Sequence, residues 1–490
     1  MKFNKSLFFS IFFLFTLFFI PVVWSIKGST KAFVVDPPDY IFYDGDFLTM
    51  EPNSSNVEAV AVQGDSIAAV GKRNAIFPLA DTDTVFIDLE GKSLLPGFID
   101  SHSHWLGDRL LVNISDPNEI IEILVQNGWT SISELFVDGG WHQGRLDELR
   151  LLDQQGNLTV RVNAYLPLNY GFDRFGTWYK DYQPGYEFSP NLRIGGVKLF
   201  MDRWYTQWMP FFDQSELETL MQEAHDLGYQ IAIHSVMDNA TDVVLNALET
   251  VLAEESNEKY RHRIEHLVLL RDDQILRMKE MKILASIQIS WVNSDWTTSE
   301  SYPYLENYTH LAGRWRDIVE TGVPTIGSTD FPYNHWDMKS PLQQIALAVT
   351  RVGGQGLQPP EWMANQTLSV EQALRLLTIE AAYGTFQEDV KGSIKEGKLA
   401  DLVILSDNPL TVAESELQDI EVLMTMIGGV IEYSSPDSPL QTGTPVTTSH
   451  TARTSLPTST TSAELTASIS IGMVVIFLAI LGNVIKKRKK

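Results

Sequence analysis

The sequence predicts an α/β fold: a (β/α)8 TIM barrel, with a small β-sandwich formed by the segments on either side of it. Three observations predict it. From Leu95 onward, short apolar strands alternate with amphipathic helical stretches, the rhythm of a parallel sheet covered by helices. Eight such strands fall between residues 93 and 327, the span of a barrel of roughly 250 residues. Several of these strands end in residues able to bind a metal ion, and barrels of this kind keep their chemistry at the carboxyl ends of their strands.

Taken in order, residues 1–25 read as a signal peptide or an uncleaved signal anchor. Lys2 and Lys5 precede the apolar run Leu7 to Val23, and Val23-Trp24-Ser25 offers an imperfect cleavage site. Segment 31–92 (IFYDGDFLTM, AVAVQGDSIAAVG, TVFIDLEGK) has strands joined by Gly-Asp and Glu-Gly turns, and segment 392–432 (GSIKEGKLADLVIL, IEVLMTMIGGVIEY) has the same texture. Together they predict one composite sandwich. The barrel, residues 93–391, has strand candidates Ser93–Ile99, Ser131–Phe136, Arg161–Leu166, Gly196–Phe200, Gln230–His234, Arg263–His266, Leu284–Ile289 and Thr325–Gly327. Between them, Leu217, Leu220, Met221, Ala224 and Leu227 recur at helical spacing. An open doubly wound sheet is the competing architecture, but the glycine fingerprint of a dinucleotide site is missing.

Residues 433–464 are dominated by Ser, Thr and Pro, which predicts an extended stalk. Residues 465–485 carry no charge and have the length of a transmembrane helix, and the basic cluster 486–490 marks a cytoplasmic tail. The body between the two ends is therefore expected outside the cell, on a membrane anchor. Sequons for N-glycosylation begin at Asn53, Asn113, Asn157, Asn239, Asn307 and Asn365.

Bulk composition excludes some functions. The formal net charge is −25, and Lys2, Lys5, Lys27 and the cluster 486–490 put eight of the 37 Lys and Arg residues at the ends, leaving the middle more acidic still. Such a body repels phosphate backbones, so nucleic acid is not an expected partner; a small-molecule substrate is. Hydrophobic residues make up 44% of the chain, enough for a real core. There is no cysteine, so any metal must be held by His, Asp, Glu or Lys.

The run Leu94-Leu-Pro-Gly-Phe-Ile-Asp-Ser-His-Ser-His104 carries the clearest chemistry. His102 and His104 are two apart in a strand, so both imidazoles point one way and make half of a divalent-metal site. Lys198 closes the fourth strand, His234 the fifth, His266 the sixth and Asp330 the eighth. Singly, each has an ordinary structural reading: a hydrogen-bonded core histidine, a salt-bridging lysine, a capping aspartate. Six metal-competent residues on one rim point instead to a site. Trp204, Tyr205, Trp208, Trp291 and Trp296 are either an apolar substrate pocket or packing between barrel and loops, and His335, in the loop after the last strand, is within reach of substrate.

The motifs PGFIDSHSH, VKLFMD, AIHSVMDNA, RHRIEH, IGSTDFP and GSIKEGKLADLVIL resemble the amidohydrolase superfamily, and within it the YtcJ-like branch, amidohydrolase family 3, related to N-substituted formamide deformylase. The resemblance runs from about Tyr40 to Tyr433 and implies a metal-dependent hydrolase barrel with a β-sandwich. It implies that His102, His104, His234 and His266 bind a divalent metal, zinc above all, as one ion or two. Asp330 then binds metal and exchanges protons with water and the leaving nitrogen. Lys198 is either carboxylated and bridges two ions, or faces away from a single one.

The implied reaction is hydrolysis of a C–N bond in an amide, N-acyl or N-formyl compound. Ester, lactone or phosphoester hydrolysis on the same centre, or a catalytically silent surface binding protein, are the alternatives. The chain departs from the branch at Asp202-Arg203, where relatives carry Asp-Gly, and at Met237-Asp238, where they carry Gly-Asp. Arg203, Trp204, Trp291 and His335 are the candidate substrate contacts. A short stretch between the first two strands predicts an open pocket.

Overall fold

The structure is a computed structural model that describes residues 36–52, 56–138, 144–168, 178–202, 211–253, 255–293, 308–333, 339–353, 356, 358–359 and 361–442. Six strands lead into the barrel: β1 (Tyr40–Tyr43), β2 (Asp46–Phe47), β3 (Ala59–Gln63), β4 (Ser66–Gly71), β5 (Val85–Asp88) and β6 (Ser93–Pro96). The barrel strands are β7 (Phe98–Ser103), β8 (Trp129–Leu135), β9 (Arg161–Pro167), β11 (Leu192–Phe200), β12 (Ile231–Ser235), β13 (Arg263–His266), β14 (Leu284–Gln288) and β15 (Thr325–Ser328). A short strand, β10 (Glu187–Ser189), runs antiparallel beside β11. After the barrel come β16 (Leu402–Leu405), β17 (Val422–Ile427) and β18 (Val430–Ser434).

The eight barrel strands are all parallel, in the order β15-β14-β13-β12-β11-β9-β8-β7. No ladder joins β7 to β15. Instead the seam is held at its carboxyl end by Asp330 N donating to His102 O (2.8 Å) and His104 N donating to Phe331 O (2.7 Å). Asp100, fully buried, crosses the same seam: its carboxylate accepts from the Thr329 hydroxyl (2.6 Å), the Thr329 amide (3.0 Å) and the Trp105 indole (2.9 Å). The barrel is therefore nearly closed, with its tightest stitching beside the residues expected to carry chemistry.

The expected first strand, Ser93–Ile99, divides in two. Ser93–Pro96 pairs with β16 in a sheet of order β18-β17-β16-β6-β2, and only Phe98 onward enters the barrel. Gly97 is the joint, because a Cβ there would lie 2.2 Å from Thr130 Cγ2. The sheet β4-β3-β1-β5 covers this one, and Phe42, Val60, Val62, Leu94, Leu402, Ile404, Met424 and Met426 fill the space between them. Strands from both ends of the described chain thus share one apolar core. Arg161 on the barrel ties to Asp401 beside β16 through two hydrogen bonds of 2.7 and 2.9 Å.

The helix before β12 spans Gln214–Asp226, started by a capping box in which the Asp213 side chain accepts from Glu216 N. Leu217, Leu220, Met221 and Ala224 are buried as their spacing predicts, whereas Leu227 lies past the helix end and is exposed. The first residues assigned to a stalk belong instead to the folded body: Tyr433 and Ser434 finish β18, and Leu440 packs on the sandwich core. Among the described residues no helix is long and apolar enough to cross a membrane. The signal segment, the rest of the stalk, the apolar run 465–485 and the basic tail lie outside the described residues.

Candidate metal centre

Each barrel strand that ends in a predicted site residue delivers it to one place. His102 Nε2 lies 3.3 Å, and His104 Nε2 3.4 Å, from the same oxygen, Asp330 Oδ1. All three residues are buried, and their ligand atoms lie within 4.8 Å of one another. His266 brings its ring within 5.0 Å of His102 and 4.3 Å of His234, centroid to centroid. Lys198 is fully buried, with Nζ 5.0 Å from the Phe200 ring centroid and no hydrogen-bond partner. Its amine is close enough to Glu265, Asp330, His234 and His266 to interact with them electrostatically.

Protonation states follow from burial and neighbours. Burial holds the His234 and His266 imidazoles well below their usual range, and the Lys198 cation nearby adds to the effect. Both rings are therefore neutral. Burial likewise pushes Lys198 down to about 8, against the pull of Glu265 and Asp330. Burial alone would raise Asp330, but the His102 and His104 rings outweigh it and hold its carboxyl well below the usual carboxylate range.

The site includes residues that strand-end reasoning missed. Glu265, fully buried, accepts from His102 Nδ1 at 2.6 Å and from Arg263 Nη2 at 2.8 Å. Arg263 and His102 hold the Glu265 carboxyl well below its usual range despite burial, so it is an acceptor. His102 Nδ1 must then donate, which leaves Nε2, 3.3 Å from Asp330 Oδ1, as the atom that would meet an ion. Strict alternation along β13 would put Glu265 and His266 on opposite faces; His266 has φ +77°, which breaks the alternation so that both reach the centre.

Asp202, just past β11, accepts from Val236 N and Met237 N and lies 3.3 Å from His234 Nε2. Burial pushes its carboxyl up to about 7. Glu134, at the end of β8, clamps the turn after His104 by accepting from Leu106 N (3.2 Å) and Gly107 N (2.7 Å); burial raises it to about 7. Gln288 Nε2 lies 3.3 Å from His102 Nδ1 and donates to Ser328 Oγ at 3.1 Å. Asp202 was visible only as one half of a dipeptide that departs from relatives, and the others carried no sequence signal beyond lying near strand ends.

A divalent ion fits this donor set. His234 Nε2, His266 Nδ1 and Lys198 Nζ are buried without a hydrogen-bond partner, an expensive condition unless something binds there. The donors are imidazoles and a carboxylate with no thiolate, which suits zinc and other borderline ions. Of the expected substrate contacts, Trp291 stacks on His266 at 4.4 Å with planes 19° apart. Arg203, Trp204 and His335 lie outside the described residues.

The chain is similar to known proteins in sequence and in fold. The amidohydrolase family profile matches residues 118–433. N-substituted formamide deformylase of Arthrobacter pascens is 30% identical over 266 residues, covering 50% of this chain and 47% of that protein. Imidazolonepropionase of Treponema denticola is 25% identical over 387 residues, covering 70% of this chain and 84% of that protein. The chain spans about half the length of the first curated relatives it matches. In fold, a metal-dependent hydrolase from Pyrococcus horikoshii superposes with a TM-score of 0.63 at 21% identity, over 77% of this chain and 99% of that one. With well over half of its length matched by the profile, the chain belongs to the amidohydrolase family, in the branch of family 3 that includes YtcJ-like relatives.

Proposed function

We propose that this protein is a metal-dependent hydrolase that cleaves a C–N bond in an amide, N-acyl or N-formyl small molecule. The convergence of four imidazoles, the Asp330 carboxylate and the Lys198 amine, with buried donor atoms lacking any hydrogen-bond partner, carries this reading. His102, His104, His234, His266 and Asp330 would hold the ion. When bound, the ion lowers the pKa of a water and polarises the scissile carbonyl.

The chain's own residues do the rest. Asp330, deprotonated, accepts a proton from the attacking water as its oxygen bonds to the carbonyl carbon, then returns that proton to the departing nitrogen as the C–N bond breaks. Glu265 and Arg263 fix the His102 ring, and Asp202 pins the turn after His234 through Val236 N and Met237 N. Lys198, with its amine shifted to about 8, is partly neutral near pH 7 and so able to take up carbon dioxide as a carbamate, which would replace its positive charge with a negative one and suit a two-ion centre. Trp291, beside His266, offers an apolar wall to the leaving group, with Arg203, Trp204 and His335 as further contacts.

The deformylase relative, named for a substituted formamide, supports the bond class. Membrane tethering is a separate proposal: the charged-then-apolar start and the apolar run 465–485 with its basic tail support a body anchored outside the cell.

The experiment is a substrate panel on the full chain: substituted formamides, N-acyl amino acids, cyclic amides, esters and lactones. Turnover of an amide, lost with chelator and restored by Zn2+, is expected. Asp330→Asn is expected to lower kcat by about 100-fold or more. Turnover of esters or lactones with every amide inert would transfer the assignment to those bonds.

A further inference from the structure

His104 is held differently from the other histidines. Its Nε2 faces Asp330, while its Nδ1 is buried without a hydrogen-bond partner, 3.7 Å from Asp108 Oδ2. Asp108 is itself buried, and its backbone amide donates to His104 O at 3.0 Å, so a tight turn carries the carboxylate back over the ring. The same Oδ2 accepts a hydrogen bond from the Tyr333 hydroxyl at 3.0 Å. Tyr333 follows Asp330 by one turn of chain, its amide donating to Asp330 O at 2.7 Å. Its ring meets that of His104 at 87°, with centroids 5.2 Å apart, yet it is 48% exposed. A half-exposed tyrosine, a buried carboxylate and an imidazole of the centre therefore lie in sequence, with a hydrogen bond at the first step and a 3.7 Å gap at the second.

We propose that Asp108 and Tyr333 are positioning residues for His104: Asp108 selects the tautomer with the proton on Nδ1, leaving the Nε2 lone pair for the ion, and Tyr333 holds Asp108 in place from the pocket rim. The proposal rests on reading His104 as a metal ligand. The chemistry is that of the Glu265–His102 pair, where a carboxylate accepts from Nδ1 and frees Nε2. At 3.7 Å the Asp108 contact exceeds the reach of a hydrogen bond, about 3.2 Å, so the ring would have to turn towards Asp108 as the ion binds. Glu134 fixes the other side of the turn through Leu106 N and Gly107 N, so the backbone that carries both His104 and Asp108 cannot drift while the ring adjusts. The two histidines of the first strand are thus set from opposite directions, His102 from the barrel interior and His104 from the rim. A polar substrate group that engages the Tyr333 hydroxyl acts on the same path.

The test titrates Co2+ into the metal-free full chain and reads the dissociation constant and the visible absorption spectrum. Asp108→Asn is expected to weaken Co2+ binding about 10- to 100-fold and shift the absorption bands, and Asp108→Glu to restore part of both. Tyr333→Phe is expected to weaken binding by a smaller factor, and to have no further effect in the Asp108→Asn background, since both act on one path. Thermal melts of the metal-free variants establish that each folds. Wild-type affinity and spectrum in both Asp108→Asn and Tyr333→Phe, with His104→Ala losing the ion, would overturn the positioning role and leave the metal centre standing. Undiminished Co2+ binding in His104→Ala would remove the metal reading, and the proposal with it.

Discussion

Glu265 is the residue on which the candidate site depends most beyond its predicted ligands. It neutralises Arg263, which is fully buried, donates a second bond from Nη2 to Ser101 O at 2.8 Å, and sits under His102. Glu265→Gln would leave the Arg263 charge uncompensated in the barrel interior, which costs about 3–5 kcal/mol. Urea unfolding of the metal-free protein should register that loss, and metal titration should show affinity lowered about 10- to 100-fold. A variant with unchanged stability would mean that Arg263 finds another anion. The six predicted site residues were legible because each closes an apolar run. Their supporting carboxylates were not: with His266 taken as the inward residue, regular alternation points its neighbour Glu265 away, and it is the positive φ of His266 that lets both reach the centre.

At the scale of elements, the seam between β7 and β15 decides whether the barrel presents His102, His104 and Asp330 together. Asp100 is its main fastener, with three hydrogen bonds into Thr329 and Trp105. At the other end of β7, Ile99 N donates to Leu377 O at 2.8 Å, so the amino end of the seam is filled by the chain before the last helix. Gly97 joins sandwich to barrel. Gly97→Ala places a methyl group against Thr130 and should cost about 1–3 kcal/mol, read as a lower urea midpoint at unchanged m-value. Pairing the substitution with Thr130→Ser, which removes the nearest carbon, should recover part of the loss; no recovery would show that the backbone, and not this contact, demands glycine. Strand positions were readable from apolar runs and their spacing; the Pro96-Gly97 pair marks the division in the first of them, but the apolar residues on both sides read as one strand, Ser93–Ile99.

Over the whole molecule, a buried histidine pair far from the centre gives a pH signature. His225 Nδ1 and His262 Nε2 lie 3.0 Å apart, and His262 Nδ1 accepts from Ile231 N at 3.1 Å. His262 must therefore carry its proton on Nε2 and donate it to His225. Burial, with His225 beside it, pushes His262 down to about 3, and burial lowers His225 as well. Below an unfolded-state pKa of about 6.5 the unfolded chain takes up protons that the native pair refuses. The His262 contribution is thus complete above that pH and is lost as pH falls towards 3, at up to about 1.4 kcal/mol per pH unit, with His225 acting in the same direction. Urea unfolding between pH 4 and 6.5 should show a shallower slope for His262→Gln than for the wild type; parallel slopes would mean that the pair is not neutral in the native state.

The same scale holds the central claim, because the barrel, the sandwich and the seam matter to function only through the ion they would assemble. The most direct measurement is metal content per chain by elemental analysis, on the full protein purified without chelator, for the wild type, His102→Ala and Lys198→Ala. One or two divalent ions per wild-type chain are expected, with His102→Ala losing metal and Lys198→Ala retaining one ion fewer if the wild type holds two. A metal-free wild type that also takes up no added Zn2+, or a metal content unchanged in His102→Ala, would contradict the account.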